Sequence, residues 1–158
     1  AGGGGRGRGD CPRGQGLAGG GGPGGKVWGV VVLGGWANPC GLAKPGGHYS
    51  HVVVHGGVAY VSGQLPIGPE GPLPPSATFE QQARQVLANV RAAVEGAGSN
   101  LSRVLKCTVY VTDVTDWPEF NRLYAEAFGD HKPARAVVPV SPLHYGYLGE
   151  MDAIAALD

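Results

Sequence analysis

Cysteine, long apolar runs and charge are all scarce in this chain, and each shortage removes a class of explanation. Its 158 residues hold three cysteines, Cys11, Cys40 and Cys107. Their odd number, wide spacing and lack of any CxxC pair argue against a zinc site or a disulfide framework. Five histidines, at 48, 51, 55, 131 and 144, form no HExxH pattern, and no third ligand joins His51 and His55, so no metal site is expected. The apolar run VWGVVVL at 27–33 is broken by Gly29 and is far too short to span a membrane. Behind a glycine tract it makes no convincing signal peptide. A soluble, cytoplasmic protein is the expectation.

Glycine is plentiful but unevenly spread, since 20 of the 30 glycines precede His48. Residues 1–47 carry five basic side chains against one acidic, net +4, and 48–158 carry seven against eleven, net −4. A zero overall charge therefore hides two unlike parts. The leading segment has almost no apolar side chains to offset the entropy lost on ordering. Its RGRG spacing is similar to RNA-binding tails, but two arginines are too few to carry that function, and an acidic body lends it no field. A disordered, glycine-rich extension over 1–46 and one domain over 47–158 is the expected division. A body of about 110 residues is long enough to bury a single core.

Patterning within the body is regular. Ser50 to Val54 and Val58 to Ser62 are β-rich runs around His55-Gly56-Gly57, a hairpin signal. A loop punctuated by proline and glycine follows from Gln64 to Pro75. Thr78 with Gln81 three residues on predicts a capping box, and Phe79, Ala83, Val86, Leu87, Val90, Ala93 and Val94 recur at helical spacing until Gly96. Arg103 to Thr112 alternates as a strand, with Leu105, Cys107, Val109 and Val111 on one face and Val104, Lys106, Thr108 and Tyr110 on the other. That second face is too mixed for a core and too apolar for free solvent, which suits a subunit contact. Asp116 opens a second helix with Trp117, Phe120, Tyr124 and Phe128 as its buried stripe. Two terminal strands complete an α+β order β-β-α-β-α-β-β, with two helices on one face of a sheet.

Those terminal strands hold Arg135 and, fifteen residues later, Glu150, on either side of a turn-forming loop. The simplest reading makes them neighbouring strands that bring the guanidinium and the carboxylate to one end of the sheet. A fixed cation beside a carboxylate suits a small site for an acidic substrate. A plain ion pair at a sheet end or subunit contact accounts for the spacing equally well.

Several motifs in order decide between these. VSGQLP at 61–66, QARQVLANVRAAVEGAGS at 82–99, VLKCTVYVTD at 104–113, FNRLYAEAFG at 120–129, PAR at 133–135 and EMDAIAAL at 150–157 together resemble the YjgF-type Rid family, the reactive intermediate deaminases. The resemblance covers about residues 46–158. It implies a chorismate-mutase-like fold and a homotrimer with three clefts between subunits. It also implies that Arg135 clamps a substrate carboxylate and that Glu150 holds or activates the attacking water. Tyr49, Ser62, Gly63 and Asn121 match cleft positions, Gly63 through its backbone, and Val137 stands where deaminase members often have a cysteine.

The activity so implied is hydrolysis of small 2-imino acids and enamines, such as 2-iminopropanoate and 2-iminobutanoate, to 2-oxo acids and ammonia. A planar carboxylate suits bidentate bonding by guanidinium, and one carboxylate near the water can act as base and then acid. No metal, nucleotide or other cofactor is needed. Two further functions stay open, a trimeric carboxylate-binding protein without turnover and a family-related amidohydrolase. Gly149 replaces a usually aliphatic residue, His48 replaces a proline, and Pro139 marks a bulge or an edge. The loop before Gly149 carries His144, Tyr145 and Tyr147, which fit either a distinct pocket wall or ordinary surface packing.

Overall fold

Gly56 and Gly57 set the first hairpin by adopting φ of 57° and 75°, the left-handed pair that a two-residue turn between twisted strands requires. They join β2 (Val52–His55) to β3 (Val58–Gln64) in antiparallel register, Val52 opposite Val61 and His55 opposite Val58. The computed structural model describes residues 34–157; the 27–33 run, Cys11 and the RGRG segment lie outside the described residues.

β1 (Gly34–Ala37) pairs antiparallel with β2 and so falls inside the stretch assigned by composition to an extension. Ala37 and Leu42 are buried in the common core, which explains why so glycine-rich a segment is held as a strand. Another addition lies within the expected loop, where β4 (Ile67–Gly68) and β5 (Gly71–Pro72) form a small separate hairpin.

The helices follow their caps. α1 (Phe79–Gly96) starts at a reciprocal capping box: Gln81 N donates to Thr78 Oγ1 at 3.2 Å, and Thr78 N donates to Gln81 Oε1 at 2.9 Å. α2 (Trp117–Phe128) ends where Gly129 turns to φ 60°. Its buried face is Phe120, Leu123, Tyr124 and Phe128, with Phe120–Tyr124 and Tyr124–Phe128 ring centroids 6.3 and 4.3 Å apart. Trp117 belongs to the expected stripe yet stays half-exposed, at the helix start.

The main sheet runs β1-β2-β3-β8-β6-β7, with β6 (Val104–Val111), β7 (Ala134–Pro139) and β8 (Gly149–Ala156). Both helices cover one face, and β8 alternates strictly, with Gly149, Met151, Ala153 and Ala155 buried. Two expectations are corrected here. β7 and β8 are not neighbours, because α2 carries the chain across to make β7 parallel to β6, while β8 lies antiparallel on β6's other side. Pro139 accordingly sits on an edge strand, where its missing N–H costs no ladder bond. The faces of β6 also differ from simple alternation at one end. Val104 lies opposite Ala155 and Lys106 opposite Ile154, so Leu105 is an extra residue in a bulge. Val104 is therefore fully buried and Leu105 is 51% exposed.

Cys107 is a buried free thiol in β6, as its place in the strand implied. Cys40 is disulfide-bonded, although the number and spacing of the cysteines argued against a disulfide framework. No helix among the described residues is long and apolar enough to cross a membrane.

Candidate active site

A second bulge shapes the centre of the sheet. From Val61 to Gln64, β3 advances three residues while β8 advances two, from Ala153 to Met151, which pushes Ser62 and Gly63 out of the ladder. Ser62 is pinned there, its N donating to His51 O at 2.9 Å and its Oγ to Ser50 O at 2.6 Å. Gly63 then faces the side chain of Glu150. A Cβ on Gly63 would stand 2.1 Å from Glu150 Oε1, so the carboxylate rests against bare backbone that only glycine leaves open.

Glu150 is half-buried, and among the described residues no hydrogen bond or ion pair holds its carboxylate. Burial raises its pKa above the ordinary 4.5 and the charge of Asp152 adds to the rise, while His144 opposes it. A cleft of about 410 Å³ opens beside it, lined by Gly63, Tyr49, His144, Tyr145, Lys44 and Leu65 among others. His51 forms part of its wall and is fixed on both ring nitrogens. Nε2 lies 2.7 Å from Ala43 O and Nδ1 3.2 Å from Gln64 Nε2, so Nε2 donates and Nδ1 accepts. Tyr49 packs edge-on against that ring at 5.8 Å.

Arg135 stands in a different cluster, between β7 and α2. Its guanidinium carbon is 4.6 Å from the Trp117 ring centroid and 4.5 Å from that of Tyr124, a cation–π clamp. Nη2 donates to Asn121 Oδ1 at 3.0 Å, so Asn121 is beside Arg135. Val137 lies two residues on, half-buried, and so on the same face. Beneath them burial pushes the Cys107 thiol up to about 11 and raises the Tyr124 hydroxyl well above its usual range.

The expected meeting of Arg135 with Glu150 at one end of the sheet does not occur within a chain. Arg135 pairs with Cys107 and Glu150 with Tyr110, on either side of β6. Residues 107 and 110 alternate out of phase, so Arg135 projects on the helix-covered face and Glu150 on the open one. One chain thus holds two separate groups: Glu150 against Gly63, beside the cleft that Tyr49 lines, and Arg135 with Asn121 and Val137. Trp117 and Tyr124 are the neighbours of Arg135 that sequence reasoning missed, although their spacing of seven residues already placed them on one helix face.

Residues 42–157 match the sequence profile of the family described as Endoribonuclease L-PSP. The chain belongs to this family, the YjgF/Rid family. A RutC family protein of Pyrococcus horikoshii is 43% identical over 112 residues, covering 71% of this chain and 89% of that protein. The YjgF gene product of E. coli superposes with a TM-score of 0.73 at 35% identity, covering 78% of this chain and 98% of the other. E. coli TdcF, solved with bound serine, gives 0.72 at 33% identity over 77% and 97%. The α+β architecture with its mixed sheet is thus a Rid fold. Within that fold Glu150 rests against Gly63 in the cleft wall, and Arg135 lies over Trp117 and Tyr124.

Proposed function

We propose that this Rid protein hydrolyses reactive 2-imino acids and their enamine tautomers to 2-oxo acids and ammonia, in the cytoplasm. The observation that carries the reading is the Glu150 carboxylate, with its raised pKa and no hydrogen bond or ion pair among the described residues, beside an open cleft. A structural carboxylate would be paired; a base needs to be free and near a reacting proton. In the reaction, water adds through oxygen to the C=N carbon and Glu150 takes one of its protons. Glu150 passes that proton to the nitrogen, giving the carbinolamine. It then takes the hydroxyl proton and returns it to the nitrogen, so that the C–N bond breaks, ammonia leaves and the 2-oxo acid forms. Arg135 supplies the fork for the substrate carboxylate.

Since the two groups occupy opposite faces, the working cleft joins Glu150 of one copy to Arg135 of another, in a homotrimer. The open face supports such assembly. Trp36, Val53, Tyr60, Ile154 and Lys106 lie opposite one another across five strands, and Trp36, Val53 and Tyr60 are each more than 40% exposed. Four apolar side chains in one row, with Lys106 at its end, suit an interface. Sedimentation equilibrium of the full chain at micromolar concentration is expected to report three copies, and a monomer would remove the shared cleft.

The direct test is ammonia release from enzymatically generated 2-iminopropanoate and 2-iminobutanoate, with and without the full chain. Acceleration is expected; an unchanged rate on these and on a 2-imino acid with a larger side chain rejects the reading. Bound serine in TdcF, a stable amino acid, favours a second reading, carboxylate binding without turnover. Calorimetric binding of 2-oxobutanoate with no ammonia release would select it. Gly63→Ala probes the same geometry. The carboxylate end is flexible and can swing aside, so the fold should survive with a melting temperature within a few degrees. Displacement of Glu150 should lower kcat/KM roughly tenfold or more, as a misplaced catalytic group does.

A further inference from the structure

The walls of the cleft specify more than a carboxylate and an imine. Tyr145 is 79% exposed and has φ 60° and ψ 16°, a left-handed conformation costly for a residue with a bulky side chain. So exposed a ring gains little from core packing, and nothing in that packing offsets the strain. Its support is nevertheless firm. Buried Tyr147 donates its hydroxyl to Leu73 O at 3.4 Å and stands edge-on to Tyr145 at 6.2 Å, while Gly146 follows with φ 73°. The loop therefore holds an aromatic ring at the mouth of the cleft. Tyr49 stands in the same wall, half-exposed, and Leu65 and Ile67 provide an apolar lining. At about 410 Å³ the cleft lies within the roughly 300–1,000 Å³ range of pockets that enclose drug-sized ligands. A three-carbon imino acid fills only a fraction of it.

We infer that the cleft selects 2-imino acids carrying a large apolar side chain, aromatic above all, over the smallest members of the class, with Tyr145 as the specificity-determining wall. This rests on the deaminase reading above. The imine carbon lies over Glu150, the carboxylate points toward Arg135 of a second copy, and the side chain enters between Tyr49 and Tyr145 against Leu65 and Ile67. Ring-on-ring contact and exclusion of water from the apolar lining supply the preference.

The test compares kcat/KM for 2-imino-3-phenylpropanoate and 2-iminopropanoate, both generated by an amino-acid oxidase and followed by ammonia release from the full chain. A ratio of about ten or more in favour of the phenyl substrate is expected. Tyr145→Asn removes the ring while keeping a residue that tolerates the left-handed backbone, and should lower that ratio about tenfold, chiefly through KM. Tyr145→Phe should retain it. A ratio at or below one, or a ratio that Tyr145→Asn leaves unmoved, overturns the inference. Turnover of 2-iminopropanoate alone overturns it while leaving the deaminase reading standing. Turnover of neither substrate rejects both.

Discussion

Replacing Glu150 with glutamine is expected to lower kcat on 2-iminopropanoate by about 10² or more, within the range attributed to general acid–base catalysis. The amide keeps the size of the side chain, so it still fits against Gly63, and the variant should assemble and bind 2-oxobutanoate as before. What it loses is the ability to take a proton from the attacking water and return one to the nitrogen. The pH dependence carries the same signature. Burial raises the Glu150 pKa, Asp152 adds to the rise and His144 opposes it. The acidic limb of the native kcat/KM profile should therefore lie above the ordinary 4.5, and the residual activity of Glu150→Gln should lack that limb. Stability moves in the opposite direction. A carboxyl with a raised folded-state pKa favours the fold below its unfolded value, and that contribution disappears as pH rises through the folded pKa. Glu150→Gln should flatten this part of the curve of melting temperature against pH. Full activity of Glu150→Gln, with an unchanged pH profile, would leave Glu150 without a catalytic duty.

Arg135→Lys is expected to cost roughly a hundredfold in kcat/KM, about 2–3 kcal/mol of transition-state stabilisation. The charge survives the change but the fork does not. In the native site one arm of the guanidinium is tethered to Asn121 and its plane lies between Trp117 and Tyr124. Lysine has neither a plane to stack nor a second donor in fixed geometry. Binding of 2-oxobutanoate should weaken in parallel, which separates this variant from Glu150→Gln. If Arg135→Lys binds and turns over substrate like the native protein, the carboxylate clamp lies elsewhere.

Mixing the two variants tests where the cleft is built. An assembly containing both Arg135→Lys and Glu150→Gln chains can place a native Arg135 beside a native Glu150 only across a subunit boundary. Partial recovery of activity on co-refolding is expected. A complete absence of recovery in confirmed mixed assemblies would argue against a shared cleft.

Much of this molecule was legible from its residues. Thr78 and Gln81 announce the start of α1, Gly129 marks the end of α2, and Gly56-Gly57 supplies the turn between β2 and β3. These are short-range rules, and each is satisfied within a few residues of the side chains that state it. Ordered motifs likewise pointed to a Rid protein and to Arg135, Asn121, Glu150 and Gly63 as positions to inspect, while their pairing into two groups came from the structure. The start of the sheet was less visible. β1 is a strand because β2 offers it an edge and the core accepts Ala37 and Leu42, not because glycine favours extended structure.

By itself, then, the amino-acid sequence determined most of the elements, their caps and the family. Only the tertiary structure decided how they are arranged. It inserted β6 between β7 and β8, so that Arg135 and Glu150 face opposite sides of one sheet. It also exchanged Val104 with Leu105 through one bulge and pressed Gly63 against Glu150 through another. The physical reason is that hydrophobic periodicity reports which face of a strand is buried, but not which strand lies beside it. Strand order is settled by pairings between residues far apart in the chain, and a single extra residue in one strand inverts every later alternation.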